Sequence, residues 1–152
     1  MRPRKTLSSL THNDYEKFLR TVQLLAMGLN RSSAELDREG YANLRDEKEG
    51  GRVKLTAKYL LDEVGKEYFD ATGIFKLVVE DPNTRKAAIL VDAEFGAHFH
   101  AEAPIVKELA EKFTKSDLRI ILWPYFRQHV FDITGRMAII PITVPIVSGT
   151  DE

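Results

Sequence analysis

Three stretches in the middle of the chain alternate between apolar and polar residues, with the period of two that is typical of a strand buried on one face. They cover residues 52–61, 67–80 and 85–102. The third is the clearest, because every second residue from Ala87 to Ala101 is apolar. The second ends in the turn sequence DPNT at residues 81–84, where Pro82 fixes one backbone angle. A hairpin between the second and third strands is therefore predicted.

The part of the chain before these strands is less regular. Residues 11–20 have the pattern of a short helix that Asn13 or Asp14 can cap. Residues 21–36 fit either a continuation of that helix or a strand, and we favour the strand. Residues 35–51 are acidic, small and polar and end in two glycines, which is typical of a solvated crossover loop. We expect this loop to contribute nothing to the core.

In the last third of the chain the apolar spacing changes to that of helices. Residues 105–113 predict a short amphipathic helix. Residues 116–137 predict a longer one, which Ser116 or Asp117 can cap. Pro124 lies inside this main helix. Because proline has no N–H and disfavours helical geometry in the residue before it, we expect a kink or a restart there.

Together these patterns predict an α+β fold, in which a four-stranded antiparallel sheet with a long crossover loop packs on a main C-terminal helix and on short helices. At 152 residues, the chain is expected to form one domain over residues 1–152. Residues 1–11 are expected to be a flexible basic arm. Residues 138–152 are expected to be an extended apolar tail, because Pro141 and Pro145 exclude a helix there.

The main helix carries apolar residues on two sides. A helical wheel puts one group on an arc wide enough to cover a sheet, namely Leu122, Trp123, Phe126, Val130, Ile133 and Met137. Ile120, Phe131 and Ala138 fall on nearly the opposite side, which a lone domain would expose. Burial of apolar surface is worth about 25 cal/mol per Å2. We therefore favour oligomerisation through this helix over the alternative of scattered surface apolar residues.

The apolar tail is interpreted either as a packed seam, meaning a segment that packs along the rest of the domain, or as a binding site. Its prolines block pairing into a sheet, and an exposed apolar tail would be prone to aggregation. We favour the seam. The aliphatic residues concerned are Ile139, Ile140, Ile142, Val144, Ile146 and Val147.

Composition narrows the possible functions. The 22 basic and 23 acidic residues give a net charge of -1, so no basic surplus favours nucleic acid as a partner. The chain has no cysteine, which removes disulfides and thiolate chemistry. The sequence has no apolar run long enough for a signal peptide or a membrane span. We therefore expect a cytoplasmic protein that does not insert into a membrane. Two alternatives remain. One is a non-catalytic scaffold or assembly subunit, and the other is a nucleic-acid-binding module that uses basic residues, namely Arg2, Arg4, Lys5, Arg52, Lys54 and Lys58.

Candidate catalytic and metal-binding residues form no convincing site. His98, His100 and Glu102 share one strand face, a spacing that can present two imidazoles to a metal. No third histidine follows at a suitable spacing, and we favour a polar sheet face. Paired acids fall at strand ends or turns, and no phosphate-binding loop is present. We therefore expect no enzymatic activity, no cofactor and no bound metal.

The sequence LWPYFRQHVFDITGRMAIIPITVP, residues 122–145, resembles the SecB family of bacterial export chaperones and, more closely, the SecB-like chaperones attached to toxin–antitoxin systems. In the family the main helix starts with an apolar or aromatic residue followed by Pro, Tyr, any residue and Arg. Here this pattern is matched by Trp123, Pro124, Tyr125 and Arg127. The helix end of the SecB-like branch is matched by Phe131, Asp132, Ile133, Thr134, Gly135 and Arg136. The alternating aliphatics that follow a proline in the family are matched by Pro141, Ile142, Val144 and Pro145.

The resemblance implies a bacterial or phage-encoded chaperone that binds unfolded polypeptide, of preprotein or antitoxin type, without ATP. It also implies a homotetramer, a dimer of dimers with the main helices between two sheets. The residues predicted for the oligomer interface are Ile120, Trp123, Tyr125, Arg127 and Phe131. Client polypeptide would lie beside the crossover loop, the second strand and the loop after the main helix. Those regions hold Tyr41, Leu44, Val53, Leu55, Ile139, Ile140 and Ile142.

The chain also departs from the export branch of the family. Export chaperones carry a further C-terminal helix and a tail of zinc-binding cysteines that docks on the SecA motor, and they are strongly acidic on one sheet face. This sequence stops at Glu152, has no cysteine and is nearly neutral. These differences give little support to docking on SecA. They favour a more specialised client, such as an antitoxin.

Overall fold

The fold is a four-stranded antiparallel sheet with helices packed on one of its faces. A computed structural model describes residues 11–46 and 50–145 of the chain. Its elements, in chain order, are α1 (His12–Thr21), β1 (Gln23–Leu36), α2 (Arg38–Asp46), β2 (Arg52–Val64), β3 (Tyr68–Glu80), β4 (Ala87–His100), α3 (Lys107–Ser116) and α4 (Leu118–Arg136). The predicted α+β class and the four antiparallel strands are confirmed. The strand favoured over a helix for residues 21–36 is β1.

The strand order is β1-β4-β3-β2, so β3 and β4 are central and β1 and β2 form the edges. Alternation in β3 and β4 places their odd-numbered residues on the inner face, where side chains such as Phe75, Leu77 and Val91 are buried. Leu77 lies opposite Val91, and Phe75 lies opposite Ala93. Because facing residues in an antiparallel pair lie on the same side of the sheet, the two strands present one continuous apolar surface to the helices.

The helix α1 closes one end of the core. Its N-cap is Thr11, whose hydroxyl accepts from the backbone N–H of Asp14 while the Asp14 carboxylate accepts from the backbone N–H of Thr11. The predicted cap at Asn13 or Asp14 is therefore wrong in position, although Asp14 completes the capping box. Phe18 then packs against Phe69 and Phe113 at ring-centroid distances of 6.1 and 6.4 Å.

The main helix α4 runs from Leu118 to Arg136 as one helix with Pro124 inside it, so the predicted restart is not found. Asp117 stands at its N-cap position, but its side chain makes no capping hydrogen bond to the helix backbone. The carboxylate accepts instead from the hydroxyl of Tyr15 on α1. The pKa of the Tyr15 hydroxyl is raised. Burial is the largest cause, and this hydrogen bond and the negative charge of Asp117 add to it.

Gly73 lets α4 approach the sheet closely. A Cβ at this position of β3 would lie 2.9 Å from Cδ1 of Leu122 and 2.8 Å from Cε2 of Phe75. Leu122, Phe126 and Val130 of α4 are fully buried in the core above this point. The arc predicted to cover the sheet is the one that packs on it, with Ile133 and Met137 half-buried at its end.

The crossover between β1 and β2 is not only a solvated loop. Residues 38–46 form α2, and Leu44 is 4% exposed within the core. The expectation that this segment contributes nothing to the core is therefore wrong. A short helix with few apolar residues can form once those residues, here Leu44 and the half-buried Tyr41, find a place against the core.

Within the described part of the chain, no helix is both long and apolar enough to span a bilayer. The predicted basic arm lies almost wholly outside the described residues, and so do residues 146–152 of the predicted tail.

Candidate functional site

The predicted client-binding residues of the crossover and second strand lie around the start of β2. Leu44 packs close to Gly51, just before β2. A Cβ at Gly51 would lie 3.3 Å from Cδ1 of Leu44 and 2.7 Å from Cγ1 of Val79. The side chain of Leu44 therefore belongs to the core and offers almost no surface in the free chain, so client binding at Leu44 stays an untested prediction. Val53 is 53% exposed. Tyr41 and Leu55 are half-buried against the core, so their outer parts remain accessible.

The predicted client-binding residues of the tail belong to a segment that returns along α4. We call residues 139–145 the return segment. The backbone N–H of Ile142 donates to Oγ1 of Thr134 at 2.9 Å. Nε of Arg127 donates to the carbonyl oxygen of Val144 at 2.9 Å, and Nε1 of Trp123 donates to the carbonyl oxygen of Pro145 at 2.8 Å.

The return segment is therefore a packed seam, the alternative favoured from sequence. Val144 is buried, and Ile139 and Ile142 are half-buried against the core. Ile140 points away and is 77% exposed. Ile146 and Val147 lie outside the described residues.

The predicted interface residues of α4 divide into two groups. Ile120 is 67% exposed, and Tyr125 and Phe131 are each a little under half exposed, so they present apolar surface on the outside of the helix. Trp123 is 3% exposed and Arg127 is half-buried, and both are engaged with the return segment. Trp123 and Arg127 thus hold the tail within the same chain, and their place in an oligomer interface stays a prediction.

A second exposed apolar surface lies on β1, where no site was predicted. Leu24, Leu25 and Leu29 are each 40% exposed or more. Leu24 is paired with Phe99 and Leu29 with Phe95, so both lie on the inner face of the sheet. Because β1 is an edge strand, this part of the inner face extends beyond the helices. The apolar run in β1 was visible in the sequence, but its position at the edge was not.

His129 connects the main helix to β1. Its Nε2 and Oγ of Ser32 share a hydrogen bond of 2.8 Å, and its ring meets the ring of Phe95 edge to face at 6.2 Å. Burial lowers the pKa of His129, the positive charge of Arg136 also lowers it, and the negative charge of Asp132 partly offsets these effects. The neutral imidazole is therefore favoured at this contact.

The histidines of β4 form part of a polar outer face of the sheet. Nδ1 of His98 lies 2.5 Å from Oδ1 of Asp70, and Tyr68 stacks on His98 at 5.4 Å and meets His100 edge to face at 5.2 Å. The contacts of His98 are thus those of a hydrogen-bonded surface side chain. Over residues 11–46 and 50–145, no three histidine, aspartate or glutamate side chains come together as metal ligands could.

This arrangement suits the binding of a flexible apolar polypeptide. Apolar patches at β1, at α4 and at Ile140 can bury side chains from another molecule. The donors on α4 bind carbonyl oxygens, which every polypeptide carries and which contain no sequence information.

Comparisons with known proteins match part of the sequence and most of the fold. No protein-family model matches the chain. It is 36% identical over 62 residues to the SecB-like chaperone Rv1957 of Mycobacterium tuberculosis strain H37Rv, and equally to the SecB-like chaperone MT2006 of strain CDC 1551. The matched segment is 38% of this chain and 34% of each relative, so it spans about a third of their length.

The structural likeness extends over most of the chain. A structure of Mycobacterium tuberculosis Rv1957, a SecB-like chaperone in complex with a ChAD peptide from the Rv1956 HigA1 antitoxin, matches with a TM-score of 0.71 and 24% identity. The match covers 87% of this chain and 94% of that one. A protein of unknown function from Streptococcus agalactiae matches with a TM-score of 0.50 and 8% identity, over 82% of this chain and 96% of that one. This chain therefore has the fold of a SecB-like chaperone and is homologous to SecB-like chaperones over the 62 residues that match in sequence.

Proposed function

We propose that this chain is an ATP-independent chaperone that binds unfolded polypeptide of the antitoxin type and prevents its aggregation. The observation that carries the proposal is the exposure of apolar side chains on a fold shared with a SecB-like chaperone that has been captured with an antitoxin peptide. Preprotein clients would bind through the same chemistry. We place the protein in the cytoplasm, without enzymatic activity.

The expected affinity follows from the apolar area available. Burial of roughly 1,000 Å2 of apolar surface is worth about 25 kcal/mol before costs. Ordering the client and losing its freedom of motion cancel most of that, which leaves an affinity of submicromolar to micromolar order. Weak selectivity among extended, aliphatic and aromatic segments is the consequence.

The proposed client surface joins the exposed parts of the predicted residues. Val53, Tyr41 and Leu55 offer apolar surface near the start of β2, and Ile140 offers it beyond the end of α4. Ile139 and Ile142 would contribute their exposed edges. The exposed leucines of β1 are a further apolar surface that a client or a second copy of the chain could cover.

Assembly as a homotetramer, a dimer of dimers, is part of the same proposal. Ile120 and Phe131 lie eleven residues apart, close to three helical turns, and therefore share one side of α4. Both are exposed in the single chain. Covering them with a second copy would remove an apolar surface that a monomer leaves in water.

The test is suppression of aggregation. A chemically unfolded model protein is diluted into buffer with and without this protein, in the absence of nucleotide. Direct binding is measured with reduced and carboxymethylated α-lactalbumin, which stays unfolded. We expect aggregation to be suppressed at stoichiometric ratios and the unfolded protein to bind at submicromolar to micromolar concentration.

The variant that locates the site is Ile140→Asp. A charge at this exposed position opposes burial against an apolar client, so it should weaken binding about tenfold and leave the native mass unchanged. Leu60→Asp, on the outer face of β2, is the matched control and should bind like the wild type. If a tenfold excess of the wild-type protein neither suppresses aggregation nor binds the unfolded model protein, a non-catalytic scaffold on the same fold becomes the better explanation.

A further inference from the structure

We infer that α4 carries a binding track for extended polypeptide, that the return segment occupies this track in the free protein, and that a client enters it by displacing residues 142–145 while residues 139–141 stay beside the end of α4. The track consists of the side chains of Trp123, Arg127 and Thr134 together with the cavity beside Val144. This inference rests on the proposed chaperone function for the identity of the client.

The hydrogen bonds of the return segment come from side chains of α4. Trp123 and Arg127 are four residues apart, one turn along the helix, and their donors bind the carbonyl oxygens of the neighbouring residues Pro145 and Val144. Thr134, about two turns further along, accepts the N–H of Ile142 while its own hydroxyl donates to the carbonyl oxygen of Val130. The return segment therefore runs antiparallel to α4 and is bound through its backbone atoms.

Such contacts accept many sequences. Two carbonyl oxygens and one N–H are available in any extended segment that lacks proline at the position of Ile142. Proline is allowed at the position of Pro145, because only its carbonyl group is used. Specificity for a side chain is expected at Val144, which is buried beside a cavity of about 140 Å3.

The ligand class follows from these features. The track fits an extended polypeptide with an aliphatic residue at the position of Val144 and with the next carbonyl oxygen free to accept from Trp123. This is the chemistry of the unfolded, aliphatic-rich clients proposed above. The return segment has no helical or strand hydrogen bonds of its own to lose, so local release does not require the sheet or α4 to unfold.

The first experiment uses the chain itself as the probe. Trp123 is the single tryptophan, so all tryptophan fluorescence comes from this position, where the track meets Phe75 and Phe126 of the core. The variant Val144→Asp loses the buried aliphatic side chain. We expect the emission maximum of Trp123 to shift to longer wavelength and its quenching by acrylamide to increase. A capped peptide with the sequence IIPITVP of residues 139–145 should then reverse the shift in a saturable manner, and it should bind the wild type at least about tenfold more weakly because the track is occupied.

The second experiment locks the return segment in place. Gln128 and Thr143 both line the cavity beside Val144, and the chain has no cysteine of its own. In the double variant Gln128→Cys/Thr143→Cys, a disulfide or a reducible thiol cross-linker would tie the return segment to α4. We expect cross-linking to weaken binding of carboxymethylated α-lactalbumin about tenfold or more, and reduction to restore it. Each single cysteine variant, carried through the same treatment, controls for the modification.

The outcomes separate this inference from the proposed function. Equal client affinity before and after cross-linking would show that the client does not use the track, while the chaperone function would stand. If the wild type binds no unfolded protein, the proposed function fails, and the IIPITVP peptide still decides whether the track exists. If that peptide does not bind a folded Val144→Asp variant, the track is refuted. Should Val144→Asp fail to fold, Ile142→Pro, which removes the N–H bound to Thr134, provides the released form for the same titration.

Discussion

Nε of Arg127 on the main helix donates a hydrogen bond of 2.9 Å to the carbonyl oxygen of Val144, seventeen residues later in the chain. One turn earlier, Trp123 makes the equivalent bond to Pro145. All four residues belong to the stretch on which the resemblance to SecB-like chaperones was based. Part of that sequence pattern therefore describes a contact within one chain, between the start of the main helix and the segment that follows it.

The exposed side of α4 should hold the oligomer together. Ile120→Asp or Phe131→Asp places a charge on a surface that the proposed tetramer buries, so the native mass should fall to that of a dimer or monomer while the circular dichroism spectrum stays that of a folded protein. Native mass spectrometry provides the measurement. Leu60→Asp on the outer sheet face is the control and should keep the mass of the wild type. An unchanged mass in both α4 variants would count against assembly through this helix.

The close approach of α4 to the sheet makes Gly73 sensitive to substitution. In Gly73→Ala the new Cβ would stand 2.9 Å from Leu122, so the helix must shift or the side chains must repack. We expect the free energy of unfolding to fall by about 1–3 kcal/mol, measured by urea denaturation.

Gly28→Ala is the matched control for Gly73→Ala. A Cβ at Gly28 of β1 meets no atom within 4 Å. This variant should be neutral or more stable by up to about 1 kcal/mol, because alanine loses less conformational entropy than glycine on folding. Equal losses at Gly73 and Gly28 would contradict the packing explanation.

The turn between α4 and the return segment should be stabilised by glycine. Ala138 has a φ of 59°, a left-handed conformation that is costly for a residue with a Cβ. Ala138→Gly removes that cost, and we expect a gain of about 1 kcal/mol in the free energy of unfolding after the entropy of the more flexible unfolded chain is counted. Ala34→Gly in β1 is the contrasting variant, expected to lose about 0.5–1 kcal/mol.

The contact between His129 and Ser32 should make stability depend on pH. Because burial lowers the pKa of His129 in the folded protein, the unfolded chain binds the proton more readily. The contribution of the neutral imidazole is therefore fully present above the ordinary histidine pKa of about 6.5 and is lost as the pH falls from there through the lower pKa of the folded state.

The variant His129→Gln tests this pH dependence. Glutamine can keep a hydrogen bond to Ser32 but does not titrate, so the loss of stability between about pH 7 and pH 5 should become smaller. Thermal unfolding over this pH range gives the measurement. An unchanged pH profile would mean that other groups dominate it, and His12→Gln, on the exposed start of α1, serves as the histidine control.

The sequence by itself determined the elements whose signal is local. In β3 and β4 the alternation of apolar and polar residues is sustained because both strands are central and bury one complete face. The core arc of α4 was predictable for a similar reason, since a helix that covers a sheet must present apolar residues at a period near 3.6. The fold class followed from these elements and their order.

The tertiary structure alone decided which surfaces remain open and which side chains meet. Nothing in the sequence around β1 shows that it is an edge strand, because strand order depends on pairings between residues far apart in the chain. Leu44 lies in a polar segment, and its burial close to Gly51 becomes visible only in the folded chain. Asp117 stands where a helix cap was predicted but bonds Tyr15, 102 residues away. Trp123 and Arg127 were predicted for an interface from the family resemblance, and only the tertiary structure shows that the backbone they bind arrives from the chain beyond the helix.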